Sequence, residues 1–205
     1  VRWESGGWEV SLCDPKGPPL GVDLHRRLSR TVRSRLTVAG LFARGTPDSS
    51  LFDAPVVLPS ANDLFAHLLL HAALHWTSTG ALHRPEDFAA VSAAGLLSDP
   101  RSCAQHLRAQ GLTIHALALL PIIVAERSCR FLDDLLAQMQ RQATATQRLG
   151  ARLVGKICSR DTLHLPTRRV AGLLMSPSLP AALASAVRDR LRRVPGGPAG
   201  NADSG

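Results

Sequence analysis

The 205-residue sequence has no tyrosine, and aromatic residues make up only 4% of it. Stacking platforms for single-stranded nucleic acid need aromatic side chains interleaved with cations, so a surface of that kind is not encoded. Lysine is nearly missing too: of the 24 basic residues only Lys16 and Lys156 are lysines, and the rest are arginines. With abundant Ala, Gly and Pro, that bias points to coding preference as much as to function. Cys13, Cys103, Cys129 and Cys158 lie far apart without a C-x-x-C pair. Their spacing excludes zinc ribbons, dithiol redox motifs and a disulfide framework, and reduced thiols, mostly in the core, are expected. Long apolar runs are also lacking: Ala116 to Ala125 is roughly half the length of a bilayer span and contains Pro121. The opening VRWESGGWEV has no apolar signal-peptide segment. A soluble, cytoplasmic protein without a membrane partner is the expectation. No G-x-S-x-G elbow and no glycine-rich phosphate loop occur, which removes the commonest serine-nucleophile and nucleotide-cradle signatures.

What is present is a 45% apolar composition, enough to bury a substantial core, in a chain long enough for a domain and a half. The formal charge of +8 is unevenly placed. Residues 1–60 hold 8 basic and 6 acidic side chains, residues 61–125 hold 3 and 4, and residues 126–205 hold 13 and 6. The carboxy-terminal third therefore carries nearly all the excess. Arg188, Arg190, Arg192 and Arg193, with Arg168 and Arg169, admit two readings. One is a basic face for phosphate or nucleic acid. The other is a solvated helix end, where cations favour the negative pole of the dipole. Without a phosphate loop or an aromatic platform beside them, specific nucleic-acid recognition is not expected.

Residues 7–13 and 20–28 alternate loosely about the turn chemistry of Asp14-Pro15-Lys16-Gly17-Pro18-Pro19, which predicts two strands joined by a tight connection. Period-2 geometry sets Val22 and Leu24 on one face and Asp23 and His25 on the other. Residues 29–57 carry no clear pattern. From Ser60 the pattern is helical: Ser60-Ala61-Asn62-Asp63 has the form of a capping box, and Leu64 to Trp76 runs without a breaker and is apolar on most sides. That helix should be central and buried. A short helix is expected near Pro85 to Ala94. Another begins at Asp99-Pro100 and ends at Gly111, with others near Thr113–Arg127, Cys129–Gly155 and Pro180–Arg193. Pro121 should kink or break the first of these last three. Residues 195–205 read as a flexible tail.

Three histidines, His67, His71 and His75, recur at i, i+4, i+8. At about 100° per residue they form a single stripe. His71 and His75 have the spacing of a zincin's paired ligands, but Ala72 stands where that motif needs Glu, and no third ligand sits at a telling distance. The other reading is a polar seam between helices, hydrogen-bonded to its neighbours. Cys103-x-x-His106 is a lone pair of potential ligands on an amphipathic helix, and His83, His115 and His164 have no nameable partner. Asp23, inside an apolar strand, is either the polar face of a half-exposed strand or a metal-holding carboxylate at a sheet edge.

Taken together, G-V-D-L-H-R-R-L at 21–28, L-P-S-A-N-D-L-F-A-H-L-L-L-H-A-A-L-H-W at 58–76, and Asp87 leading into Phe88 and Val91 resemble the uncharacterised nucleotidyltransferase family. That family shows a "vDlHw" strand, an "lllhlclHaakH" helix and a following "DiadLl" helix. The likeness covers roughly residues 7–125, and the stretch from Arg168 to Arg193 is similar to the family's closing region. The resemblance implies a DNA-polymerase-β-like core that moves a nucleotidyl group from an NTP to an acceptor. In such a core a Gly-Ser turn grips the triphosphate, and a D-x-D pair plus a third carboxylate hold two Mg²⁺ ions. Those cations stabilise the entering and leaving oxygens. It places Asp23 as the third carboxylate, His25 as the histidine after it, and His67, His71, His75 and Asp87 in the helical domain.

No two acidic residues of this chain are separated by a single residue, so there is no D-x-D, and only about 20 residues precede the Asp23 strand. With its Val1 start, the sequence is expected to be a truncated or late-started form. Its fold class is expected to be mainly α with a small β portion. Residues 1–57 would be the incomplete end of an α/β nucleotidyltransferase sheet, 58–194 a helical domain and 195–205 a disordered tail. The expectation is no nucleotidyl transfer and no tight Mg²⁺ binding by this chain, with Asp23 a metal ligand only if the upstream elements are present. The alternative is a non-catalytic helical binding module whose arginine-rich end meets a protein partner or nucleic acid.

Overall fold

A computed structural model describes residues 9–13, 21–25, 34–49, 56–79, 82, 84–97, 99–158, 170, 171 and 173–176. The predicted helix over 180–193, the tail, and Arg168, Arg169, Arg188, Arg190, Arg192 and Arg193 lie outside the described residues, as do His83 and His164. Among the described residues the chain is mainly helical, with two small antiparallel sheets. Strands β1 (Glu9–Cys13) and β2 (Gly21–His25) pair with Ser11 opposite Asp23 and Glu9 opposite His25. Both strands expected from the sequence are therefore present and adjacent.

Among the described residues of the stretch without a legible pattern are three short elements. Helix α1 (Val38–Arg44) starts at Thr37, whose hydroxyl accepts from the Gly40 amide at 3.0 Å. Strands β3 (Thr46–Asp48) and β4 (Val56–Leu58) then pair in a three-residue ladder. Gly45 permits the turn between α1 and β3, because a Cβ there would fall 2.4 Å from Val57 Cγ1 and 2.7 Å from the Leu58 carbonyl oxygen.

Helix α2 (Ala61–Thr79) is the central element, packed on α3 (Pro85–Ala93), α4 (Pro100–Ala109) and α5 (Thr113–Glu126). Phe65, Ala66, Leu69, Leu70, Ala73 and Trp76 turn inward, as its broad apolar face requires. Phe65 meets Phe88 of α3 edge-on with centroids 5.4 Å apart, the arrangement aromatic quadrupoles prefer. Burying one such ring is worth about 1.5–3 kcal/mol.

Helix α4 is bounded by chemistry visible in its sequence. Asp99 accepts from the amides of Arg101 and Ser102 at 2.9 and 3.0 Å, and Pro100 occupies the first turn, where its missing N–H costs nothing. At the other end Gly111 adopts φ +74°, so that Leu112 N–H reaches the Leu107 carbonyl at 2.8 Å and Gly111 N–H reaches that of Arg108 at 3.0 Å. That is a Schellman closure, which needs a residue without Cβ at the left-handed position.

Two expectations are corrected. Helix α5 is not broken at Pro121 but continues from Thr113 to Glu126. The proline is exposed, while Ala116, Leu119, Leu120 and Ile123 are buried, so core packing offsets the roughly 3 kcal/mol an interior proline costs. The single helix expected over 129–155 is instead two, α6 (Arg130–Gln142) and α7 (Ala145–Cys158). Ala143 leaves the helix at ψ 141°, and Thr144 restarts it through a reciprocal capping box. Gln147 N–H donates to Thr144 Oγ1 at 3.2 Å, and Thr144 N–H donates to Gln147 Oε1 at 3.0 Å. Arg148 Nη1 closes the end of α6 by donating to the carbonyls of Ala143 and Gln140 at 2.9 and 3.2 Å. Helix α5 packs against both α6 and α7, and α4 against α6. No helix among the described residues is long and apolar enough to cross a membrane.

Candidate functional site

The most concentrated chemistry lies at the amino end of α2. Asp63 is completely buried there, the only buried carboxylate among the described residues. Its oxygens take a forked contact from Arg44 at the end of α1, Nε to Oδ2 at 2.9 Å and Nη2 to Oδ1 at 2.7 Å. Ser60 Oγ donates to Oδ2 at 2.8 Å and accepts from the Asp63 amide at 3.2 Å. His106 of α4 brings Nε2 to 3.0 Å from Oδ1. The direction of that last approach does not meet hydrogen-bond geometry, so it acts as a charge contact. Burial alone would push the Asp63 carboxyl upward. The hydrogen bonds from Arg44 and Ser60, with the charges of His106 and Arg44, outweigh burial and hold it below the ordinary carboxylate value. The same bond to Asp63 raises Arg44, against a smaller opposing effect of its own burial.

A carboxylate offers about four acceptor sites, and here three hydrogen bonds and the His106 charge contact converge on them. Chemically the cluster is a cross-link among α1, α2 and α4. Asn62 adds a second tie, donating from Nδ2 to Ser102 Oγ on α4 at 3.3 Å.

The sequence placed Asp63 in a capping box and left His106 paired with Cys103. Half of the box forms, the Asp63 amide donating to Ser60 Oγ, while the carboxylate takes the Ser60 hydroxyl rather than its backbone N–H; neither Arg44 nor His106 was connected to it. Cys103 turns into the core instead, where burial, with the nearby charge of Asp99, pushes its thiol up to about 12. It is an inert core thiol, not a ligand beside His106. Cys103 and Cys158 are buried and Cys129 is half-buried.

The histidine stripe forms as expected along the outer side of α2. His71 is exposed and His67 and His75 are half-buried. The His71 and His75 rings stand 4.6 Å apart edge-to-face, and His67 stacks on His71 at 6.3 Å. Asp87 lies half-buried in the first turn of α3. His115, for which no partner was foreseen, is fully buried on α5. No group of three or more His, Cys, Asp or Glu side chains among the described residues is arranged to hold a metal ion. Asp23 and His25 occupy alternate positions of β2, opposite Ser11 and Glu9 of β1.

Compared with known proteins, the chain matches no protein-family model, no curated sequence and no solved structure.

Proposed function

We propose that the chain is a nucleotidyltransferase-type protein in which residues 58–194 form the helical domain and β2 carries Asp23 at the position of the third carboxylate. The observation that supports this reading is the order of elements: a short strand bearing Asp23 and His25, then a helical body whose buried central helix carries the His67, His71, His75 stripe. The donor set does not fit a pair of Mg²⁺ ions. No two acidic residues of the chain are separated by a single residue, so the D-x-D pair that would share two cations with Asp23 is not in this sequence. No transfer step is therefore assigned to this chain, and NTP and acceptor remain substrates of the fold type only. Incubating the full chain with Mg²⁺ and labelled NTPs should give no nucleotidyl transfer. Transfer that disappears in Asp23→Asn would overturn that statement and make Asp23 catalytic.

The second reading, a non-catalytic helical binding module, draws on the Asp63 cluster. The buried carboxylate of the helical body is consumed by structure, which leaves that body without a buried acid for catalysis among the described residues. The arginine-rich end would be its contact surface. Retention on nucleic acid that weakens with salt, and less steeply once Arg190, Arg192 and Arg193 are neutralised, supports this module. Retention indifferent to salt counts against it.

A further inference from the structure

We draw no further inference here: the strongest candidate, the exposed ridge of Leu149 and Leu153 on the outer face of α7, carries nothing because nothing in the structure shows what covers it.

Discussion

Replacing Asp63 with alanine removes the acceptor on which α1, α2 and α4 converge, and the cost can be worked from the contacts. A charge-assisted hydrogen bond contributes about 1.5–3 kcal/mol, and Arg44 makes two. The Arg44 side chain is 40% exposed, however, so its guanidinium regains water once the carboxylate is gone, and its share falls towards the ~1 kcal/mol of a solvated pair. Loss of the Ser60 hydroxyl's bond to the carboxylate adds about 1 kcal/mol. Leaving the His106 imidazole and the Ser60 hydroxyl without their acceptor adds about another 1 kcal/mol. The total is about 3 kcal/mol. With a urea slope of about 2 kcal/mol/M, the midpoint should fall by about 1.5 M. Asp63→Asn keeps the volume but turns an amide N–H₂ towards donors, and should cost about 2 kcal/mol. The pH dependence has a definite sign. Because the folded carboxyl lies below its ordinary value of 3.8, its contribution is complete above that value and is lost as pH falls through the lower, folded value. Urea melts followed by circular dichroism at neutral pH and near pH 3 check both statements: the gap between parent and Asp63→Asn should narrow in acid. Variants within ~0.5 kcal/mol of the parent at neutral pH would refute the reasoning, and so would a gap that widens in acid.

Three further outcomes are expected. Thr144→Ala removes one half of the box that restarts the chain at α7 and should cost about 1 kcal/mol in a thermal melt; an unchanged melting temperature would mean the break between α6 and α7 is held by packing alone. Gly45→Ala should destabilise by about 1–3 kcal/mol, since its Cβ would meet Val57 and the Leu58 backbone, and a neutral result would show that β4 can shift. Brief iodoacetamide treatment of the native protein, mapped by mass spectrometry, should label half-exposed Cys129 well before Cys103 or Cys158; equal rates would contradict the burial of the latter two.

Features legible in the sequence were those written in neighbouring residues. Asp99-Pro100 and Gly111 bounded α4 correctly because a cap and a left-handed closure are local events. The apolar run after Ser60 announced a buried helix for the same reason. Pro121 misled, because a proline's local cost is visible in the chain whereas the burial of Leu119, Leu120 and Ile123 that offsets it is not. The α6–α7 break was written as Thr144-Ala145-Thr146-Gln147, but inside a helical pattern that signature passes for ordinary helix surface. Residues 34–58 hold elements of three to seven residues, too short for any periodicity to declare itself. Of the Asp63 cluster only the Ser60 contact was legible, because Arg44 and His106 lie 19 residues before and 43 after Asp63, 63 − 44 and 106 − 63, and only the fold brings them to one carboxylate.

That carboxylate also determines how the chain is fastened. Residues 34–48 meet the helices through Arg44 on Asp63, the Arg35 amide on the Gln110 carbonyl at 2.8 Å and Leu36 in the core with Leu41 packed against it, and meet β4 through the three-residue ladder. None of these attachments depends on the peptide bonds between Asp48 and Val56. A protease cut there would turn the preceding segment into a non-covalent ligand of the helices. Its release, measured as a dissociation rate, would report the combined strength of these attachments.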